Sequence, residues 1–408
     1  MPSSSPKRWS IAAATLAVAV VGGTIVGATL AGGGDPQSSA VAGPGGLSSA
    51  GPSATPAPPT PRATASPSPT PSPSPTPSPT PSPLPTPTPV PAPLTGRLVR
   101  PDVAGRTVIA VMVDDHPDAR PQSGFSGAAV VWHAPAEGGV PRYMLWFQDR
   151  VPESVGPVRS ARYYFIGWAA EWNAVYGHVG GSPQALQTLR DDGNGELVYN
   201  ADEFRWGGTY YWRASDRIPP HNVYTDGKSL RRMANAIDAV DGPAAEPAWT
   251  FRKARPVRQR PEGTAIRVSY AYNTVTYEYD RIANNYPRSV SDEGEQYDQG
   301  TGHRVAPRNV VVMMVRFGLL DDGSNKSRQE ADFIGEGTVW VSTNGITVKG
   351  TWRKESLTGP TRFYDKNDKP IALTPGQTFI QVMPIGSDVD FVKGTKVPAI
   401  DQHGPEVE

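Results

Sequence analysis

Two hydrophobic periods divide the chain into an alternating first part and a strand-rich second part. Within residues 97–242, short apolar runs predict buried strands, and stretches with apolar residues every three or four positions predict helices between them. Ser182 before Pro183 suits the N-cap of one such helix. The predicted strands are residues 106–113, 128–132, 142–147 and 174–179, and the predicted helices begin at Pro157, Pro183 and Gly227. This alternation favours an α/β domain in which helices cover a layered sheet.

In the last third of the chain the period changes to two, which is typical of half-buried strands. The alternation continues on both sides of Asn273-Thr274 and of Asn344-Gly345, which predicts a hairpin at each pair. Asn-Gly is the dipeptide that a type I′ turn prefers. No helical period follows, so we expect a small all-β barrel or sandwich whose last strand is residues 378–383.

An uncharged stretch of 21 residues, 11–31, follows Lys7 and Arg8. As a helix it would be about 31 Å long, which matches the hydrocarbon core of a bilayer. A signal peptide has a shorter apolar region of about 7–15 residues. The length therefore favours an uncleaved anchor, whereas the weak apolarity and a cleavage sequence ending at Ala42 favour a cleaved signal. Both alternatives place the folded part outside the cytoplasm.

The segment that follows is dominated by proline. From Pro67 to Pro93 every second residue is proline, with Ser or Thr in most of the gaps. Proline fixes φ and removes a backbone donor, so this density excludes helices and sheet ladders and leaves polyproline II. We predict a disordered stalk, which would be either a spacer of required length or a plain linker.

The sequence therefore divides into six predicted parts. A stretch rich in Pro, Ala and Arg separates the two hydrophobic patterns and predicts an interdomain linker. The parts are a signal sequence or anchor (1–32), a Pro/Ser/Thr-rich stalk (33–96), an α/β domain (97–242), a linker (243–263), an all-β domain (264–395) and a tail (396–408).

Charge and cysteine content exclude several kinds of function. The chain carries 39 basic and 39 acidic side chains, whereas a nucleic-acid-binding protein needs a basic surplus to displace counterions. It contains no cysteine, which excludes disulfides, thiolate metal sites, cysteine nucleophiles and lipid attachment to cysteine. We expect no nucleic-acid partner and no cofactor.

Carboxylates and histidines of the α/β domain are the candidates for catalysis. Asp114 follows a predicted buried strand, and it or Glu137 would act as the acid or base of a hydrolase, with His178 or His221 nearby. The alternative is that these are hydrogen-bonded polar residues at strand ends. Because no histidine has a second one at ligand spacing, we predict no metal site.

A second group of residues suggests an anion site. Gly181 and Ser182 lie where a strand meets a helix N-terminus, and such junctions bind anions through backbone amides. Arg159 and Arg162 are three apart near another predicted helix start, so they would share a helix face. Together they would bind a carboxylate or phosphate. The alternative is an ordinary N-cap beside two solvated arginines.

Longer motifs resemble those of the YerB-like family of bacterial exported proteins, whose two domains have no known function. The matching stretches are VMVDDHPDARPQSGFSGAAVVWHAPAEGGVPRYM (111–144), GPVRSARYYF (156–165), GHVGGSPQA (177–185), PPHNVYTD (219–226), YPRSV (286–290), GTGHRVAPRNVVV (300–312), GTWRK (350–354) and LTPGQTFIQVMP (373–384). The resemblance implies an extracytoplasmic, membrane-associated protein with an α/β domain followed by a β domain. It implies no established reaction.

This chain differs from the family at the lipid-attachment site, and the resemblance also implies a set of motif residues. Family members are commonly lipoproteins, whereas here Gly33 stands where the acylated cysteine of a lipobox would be, so anchoring would fall to the apolar helix or be absent. The motif residues are Asp114, Arg120, Pro121, Gln122, Glu137, Gly138, Gly139, Arg142, Arg159, Arg162, His178, Gly181, Ser182, Pro183, His221 and Asn222. The motif residues and the predicted anion site overlap at Arg159, Arg162, His178 and Ser182.

We therefore expect a non-enzymatic, envelope-tethered protein that binds an anionic cell-wall component through its α/β domain. Its expected partners are a cell-wall polymer or an envelope protein, and the membrane through the N-terminal helix. The alternatives are a cell-wall hydrolase or transferase with a carboxylate and histidine site, and a scaffold partner of envelope enzymes. The expected ligand-binding residues are Arg120, Arg142, Arg159, Arg162, Gly181, Ser182 and Asn222.

Overall fold

The structure, a computed structural model, describes residues 87–243, 245–247 and 249–395. The predicted anchor or signal sequence, most of the stalk and the tail lie outside the described residues. No helix in the described part of the chain is long and apolar enough to cross a membrane.

The chain up to residue 243 contains short strands that alternate with helices, as predicted. The strands are β1 (Val90–Pro91), β2 (Leu98–Val99), β3 (Ile109–Asp114), β4 (Val130–Pro135), β5 (Pro141–Phe147), β6 (Val175–His178), β7 (Tyr199–Asp202), β8 (Trp212–Arg213) and β9 (Val223–Tyr224). The helices are α1 (Pro101–Ala104), α2 (Tyr163–Ala169), α3 (Pro183–Asp191), α4 (Glu203–Trp206) and α5 (Gly227–Ala236).

The remaining chain forms strands, and its described residues contain no α-helix after residue 263, as predicted. The strands are β10 (Ala265–Ser269), β11 (Thr274–Glu278), β12 (Arg288–Val290), β13 (Gly294–Glu295), β14 (Asn309–Val315), β15 (Phe317–Leu319), β16 (Gln329–Ala331), β17 (Gly335–Thr343), β18 (Ile346–Lys354), β19 (Arg362–Asp365), β20 (Thr378–Pro384) and β21 (Val389–Val392). The strand predicted as the last one is thus followed by β21, which pairs with β10.

The folded part begins inside the predicted stalk. β1 pairs antiparallel with β2, and Ala92 and Leu94 are fully buried. The stalk prediction is therefore wrong for residues 90–96. Here the gaps between prolines hold apolar side chains instead of Ser and Thr, and those side chains pack against the body.

One ten-stranded sheet passes through both regions, in the order β19-β18-β17-β14-β20-β4-β5-β3-β6-β7. The junction is the parallel pair β20 and β4, in which Thr378 lies opposite Val130 and Gln381 opposite His133. The second region is therefore not a separate barrel or sandwich, because several of its strands extend the sheet of the first. A period of two predicts strands without predicting their partners.

Two cores cover the two faces of this sheet. Side chains alternate along β3, so Met112 joins a core with Trp168 of α2 and Leu189 of α3. Val111 joins the opposite core with Leu230 of α5 and with the second, five-stranded sheet. That sheet is antiparallel, in the order β13-β12-β11-β10-β21. The body is thus layered, with helices on one face and a sheet plus a helix on the other.

The helix predicted to begin at Pro157 begins instead at Tyr163. The preceding segment is extended and fills a gap between strands: the backbone N–H of Val158 donates to the Val223 carbonyl (2.7 Å), and that of Arg159 donates to the Met112 carbonyl (2.9 Å). Tertiary hydrogen bonds therefore override the helical spacing of residues 157–162.

The predicted linker is packed against the second region. Trp249 is nearly buried, and its Nε1–H donates to the Thr361 carbonyl (3.0 Å). The backbone N–H of Arg252 donates to the Leu373 carbonyl (2.9 Å). The Pro-rich segment is therefore an extended stretch of backbone that packs against strands of the second region.

Both predicted hairpins form, one of them with a shifted turn. Ser269 pairs with Thr274, so the first turn is residues 270–273. The second is the predicted one: Asn344 and Gly345 have φ of 52° and 73° between β17 and β18, which fits a type I′ turn.

Gly345→Ala is expected to lower the free energy of unfolding by about 2–4 kcal/mol. An alanine here would have to adopt the left-handed conformation, which is unfavourable for a residue with a Cβ. Its Cβ would also lie 2.3 Å from Cε1 of Tyr279, so the site would be overpacked. The matched control is Gly323→Ala, with φ of 71° and no atom within 4 Å of its Cβ. Urea unfolding of both variants measures the difference, and equal losses would contradict this packing argument.

Candidate functional site

Asp114, the last residue of β3, and Asp115, which follows it, point to opposite faces of the sheet. Asp114 lies on the face of Met112, beside Arg142 on the neighbouring strand β5. Asp115 turns to the face of Val113, where His133 of β4 lies. Alternation along a strand produces this division, so the motif feeds two separate polar centres.

The first, the Asp114 centre, consists of Asp114, Arg159 and His221. Asp114 Oδ2 accepts hydrogen bonds from Arg159 Nε (2.8 Å) and His221 Nδ1 (2.8 Å). Burial favours the protonated carboxyl, but the hydrogen bond from His221 and the charges of Arg142 and Arg159 outweigh it and hold the pKa of Asp114 well below its usual range. The carboxylate thus fixes the tautomer and orientation of the imidazole.

A separate centre that contains neither of these acids, the arginine centre, consists of Glu137, Arg142, Arg162 and Arg328. Glu137 Oε1 lies 2.6 Å from Arg162 Nη2 and 3.3 Å from Arg328 Nε, and Oε2 lies 3.8 Å from Arg142 Nη2. Ser160 Oγ accepts from both Arg142 (3.1 Å) and Arg162 (3.2 Å). One carboxylate therefore serves three arginines.

The arginine centre has more positive than negative charge in a buried place. Arg328 also pairs with Asp322, which leaves Arg142 and Arg162 to share Glu137; their side chains are 5% and 2% exposed. Burial and the charge of Arg142 lower the pKa of Arg162 to about 10, although Glu137 opposes this. Nε of Arg142 and of Arg162 has no hydrogen-bond partner among the described residues. A further anion would be stabilised here.

The second acid belongs to the Asp115 centre, which consists of Asp115, Arg120, Gln122 and His133 and joins the two regions. Asp115 is buried and lies 2.9 Å from His133 Nε2 and 3.1 Å from Gln122 Nε2. Arg120 reaches from Asp115 (3.3 Å) to Asp292 (2.7 Å) of the second region. Arg120, one of the predicted ligand-binding residues, therefore lies in a network of ion pairs that joins the two regions.

The remaining predicted site residues make local contacts. His178 is buried, and its ring nitrogens lie 2.8 Å from the Gly180 carbonyl and 2.9 Å from Asn200 Oδ1. Ser182 caps α3 as predicted, accepting from the Ala185 N–H (3.3 Å). Gly181 packs against Ala161, which a Cβ would approach to 3.2 Å.

Two backbone amides of the predicted anion loop are occupied within the protein. The Gly180 N–H donates to Asp202 Oδ1 (3.1 Å), and the Ser182 N–H donates to the Ala161 carbonyl (3.2 Å). Arg159, Arg162, His178 and Ser182 do not share one contact set; they divide among the Asp114 centre, the arginine centre and the start of α3. Asn222 Oδ1 accepts from Arg213 Nη1 (3.2 Å).

Sequence reasoning missed Arg328 and two further features. Arg328 is 191 positions from Glu137, and no local pattern links them. A cavity of about 290 Å³ is lined by Arg97, Arg150, His303, Arg304 and Arg308 together with Phe125, Ser126, Asn285, Val305, Ala306, Pro375, Gly376 and Gln377. Its basic residues come from both regions, so only the fold brings them together.

The second missed feature surrounds the exposed side of His221. The rings of His116 and His221 stack with centroids 5.0 Å apart. One potential ligand atom each from His116, Asp118 and His221 lies within 4.8 Å of the other two. These are the described residues that come closest to a metal-binding set, and the DDHPD motif is the signal that would have pointed to them.

Comparison with known proteins finds the same architecture elsewhere. Residues 94–239 match the family model "Protein of unknown function (DUF3048) N-terminal domain", and residues 266–380 match the corresponding C-terminal domain. The chain is 32% identical over 310 residues to "Putative lipoprotein YerB" of Bacillus subtilis (strain 168), covering 74% of this chain and 89% of that protein. The crystal structure of the YerB protein from Bacillus subtilis is similar with a TM-score of 0.65 at 30% identity, over 73% of this chain and 99% of that one.

Proposed function

The chain belongs to the YerB-like family of proteins with the two DUF3048 domains, and on this premise we propose that it acts outside the cytoplasm and binds an anionic component of the cell envelope at its arginine centre. The name of the relative, "Putative lipoprotein YerB", supports the location. The ligand group is an anionic oxygen, carried by stem-peptide carboxylates of peptidoglycan or by phosphates of teichoic polymers. Arginine pairs bind both groups through forked donors.

The observation that supports this proposal is the shared carboxylate. Arg142 and Arg162 lie close enough to bond the same Ser160 hydroxyl, yet Glu137 is the acid they share. Two buried guanidinium groups that share one carboxylate are under-compensated, because burial of unpaired charge is costly. The Glu137 side chain is 33% exposed, so it is the part of the centre that faces solvent, and a ligand anion would displace it to reach Arg142 and Arg162.

The same geometry makes Glu137 a poor general acid. Burial raises its pKa, but the charges of Arg162 and Arg142 and the hydrogen bond from Arg328 outweigh that effect and lower the pKa below its usual value. A general acid at neutral pH needs the opposite shift. Binding is therefore favoured over the hydrolase alternative in which Glu137 supplies a proton.

Arg142→Gln with Arg162→Gln is expected to weaken binding of the wall polymer by about 10–100-fold, the range for lost hydrogen bonds to a charged group. Isothermal titration with purified teichoic polymer and, separately, with muropeptides would measure this and would tell phosphate from carboxylate ligands. Thermal unfolding of the free variant checks that it is folded.

The matched comparison is Arg150→Gln with Arg308→Gln in the basic cavity. These variants remove the same charge from a different site and should leave the affinity unchanged. If they abolish binding while the Arg142 and Arg162 variants keep it, the ligand lies in the basic cavity and the proposed site is wrong.

Glu137→Gln should act in the opposite direction and tighten binding several-fold. The variant removes the carboxylate that competes with the ligand for Arg142 and Arg162, and a neutral amide cannot replace its charge. The variant should also unfold more easily when free and gain more stability from saturating ligand than the native protein does. Weaker binding by a folded Glu137→Gln protein would show that Glu137 itself contacts the ligand.

A further inference from the structure

The structure assigns a binding site for a divalent transition-metal ion of the zinc class to His116, Asp118 and His221. The site lies at the end of β3, where the chain turns through a single 3-10 turn, Pro117–Ala119, that places His116 and Asp118 next to each other. His221 comes from the segment before β9, 105 positions further on. This inference does not depend on the anion-binding function.

The orientation of His221 is the first argument. Its Nδ1 lies 2.8 Å from Asp114 Oδ2, so Nδ1 is the donor, and in the neutral imidazole Nε2 is the nitrogen with the free lone pair. Histidines that bind metals almost always donate their other ring N–H to a carboxylate or carbonyl in this way. Asp114 is in turn held by Arg159 at 2.8 Å, so the imidazole is fixed before any ion arrives.

The possible ligand atoms of the three residues also lie close together. One possible ligand atom each from His116, Asp118 and His221 lies within 4.8 Å of the others. The rings of His116 and His221 are stacked 17° from parallel, whereas the nitrogen lone pairs lie in the ring planes, so the His116 ring must rotate before both rings face one ion. Ligand atoms around a tetrahedral zinc ion are about 3.4 Å apart, so the set must contract. The His116 and Asp118 side chains are 42% and 73% exposed, and they have room to move inward.

The chemistry of the donors selects the ion. Two imidazoles with one carboxylate suit Zn²⁺ and its neighbours, whereas Ca²⁺ and Mg²⁺ prefer all-oxygen sets. Three protein ligands at an exposed site leave the fourth position to water. Asp114 is a positioning residue here, since it acts through His221.

Titration of the full chain, purified without a histidine tag, with ZnCl₂ by calorimetry tests the site. We expect one tight equivalent. His116→Gln and Asp118→Asn should each weaken it at least about 10-fold, and Asp114→Asn should weaken it about 10–100-fold, as loss of a carboxylate behind a ligand histidine does. His303→Gln, an exposed histidine elsewhere, should bind as tightly as the native protein.

A spectroscopic readout separates ligation from a structural effect. Co²⁺ in place of Zn²⁺ should show visible absorption typical of tetrahedral coordination, which His221→Gln should abolish and Asp114→Asn should shift without removing. The inference is overturned if the chain binds no zinc, or if His116→Gln and His221→Gln both retain the native affinity and spectrum. Neither result bears on the anion-binding proposal, which the arginine variants test.

Discussion

Lys354→Met is expected to lower the free energy of unfolding by about 3–5 kcal/mol, because it leaves a buried carboxylate without its cation. Lys354 Nζ lies 3.0 Å from Glu171 Oε1, and both side chains are 0% exposed. Thr361 donates two more hydrogen bonds to that carboxylate, from its backbone N (3.1 Å) and from Oγ1 (2.6 Å). The pair links the helical layer of the first region to β18 of the second. Denaturant unfolding at neutral pH measures the loss.

Two further variants identify the cause. Adding Glu171→Leu to Lys354→Met should recover much of the loss, since replacing both partners of a buried pair by apolar groups costs far less than removing one. Arg353→Met, at the preceding position of β18, removes a half-buried side chain that forms ion pairs with the exposed Glu336 and Asp368, and it should change stability little. If Lys354→Met behaves like Arg353→Met, the buried pair does not stabilise the fold.

The sequence predicts correctly those structures that are decided by residues adjacent in the chain. Ser182 before Pro183 indicated a helix start, and Asn344-Gly345 indicated a hairpin; both are correct because the residues that decide these structures are adjacent in the chain. Pairing between β4 and β20 depends on segments about 250 positions apart, such as Val130 and Thr378. No period or turn residue encodes that partner.

The predicted site residues do not form a single cluster, because the backbone conformation between Arg159 and Arg162 differs from the predicted one. Arg159 and Arg162 were expected to share a helix face, but the segment is extended up to Arg162, which is the N-cap of α2 with φ −134°. Residues three apart in an extended chain point in opposite directions. Arg159 therefore contacts Asp114 and Arg162 contacts Glu137. The prediction that Arg159 and Arg162 act together was wrong, because it assumed a helical backbone where the chain is extended.

Separating the two family domains is expected to abolish cooperative folding of both. Residues 87–243 expressed alone lose the partner of β4, whose six residues are all buried, and so expose an apolar sheet edge that favours aggregation. The core around Trp132 and Trp168 also loses Phe333, Trp352 and Ile380 from the second region. Residues 249–395 alone lose the partner of β20, which is buried over most of its length.

Circular dichroism, thermal unfolding and gel filtration of each half would measure this. Neither half should show a sharp unfolding transition, whereas the halves produced together should form a 1:1 complex with the transition of the intact body. The complex is expected because the junction is a complete strand pair with a core on each face, so association buries what a cut linker exposes. A cooperative transition in isolated 87–243 would mean that β4 tolerates a free edge and that the ten-stranded sheet is two independently stable sheets in contact.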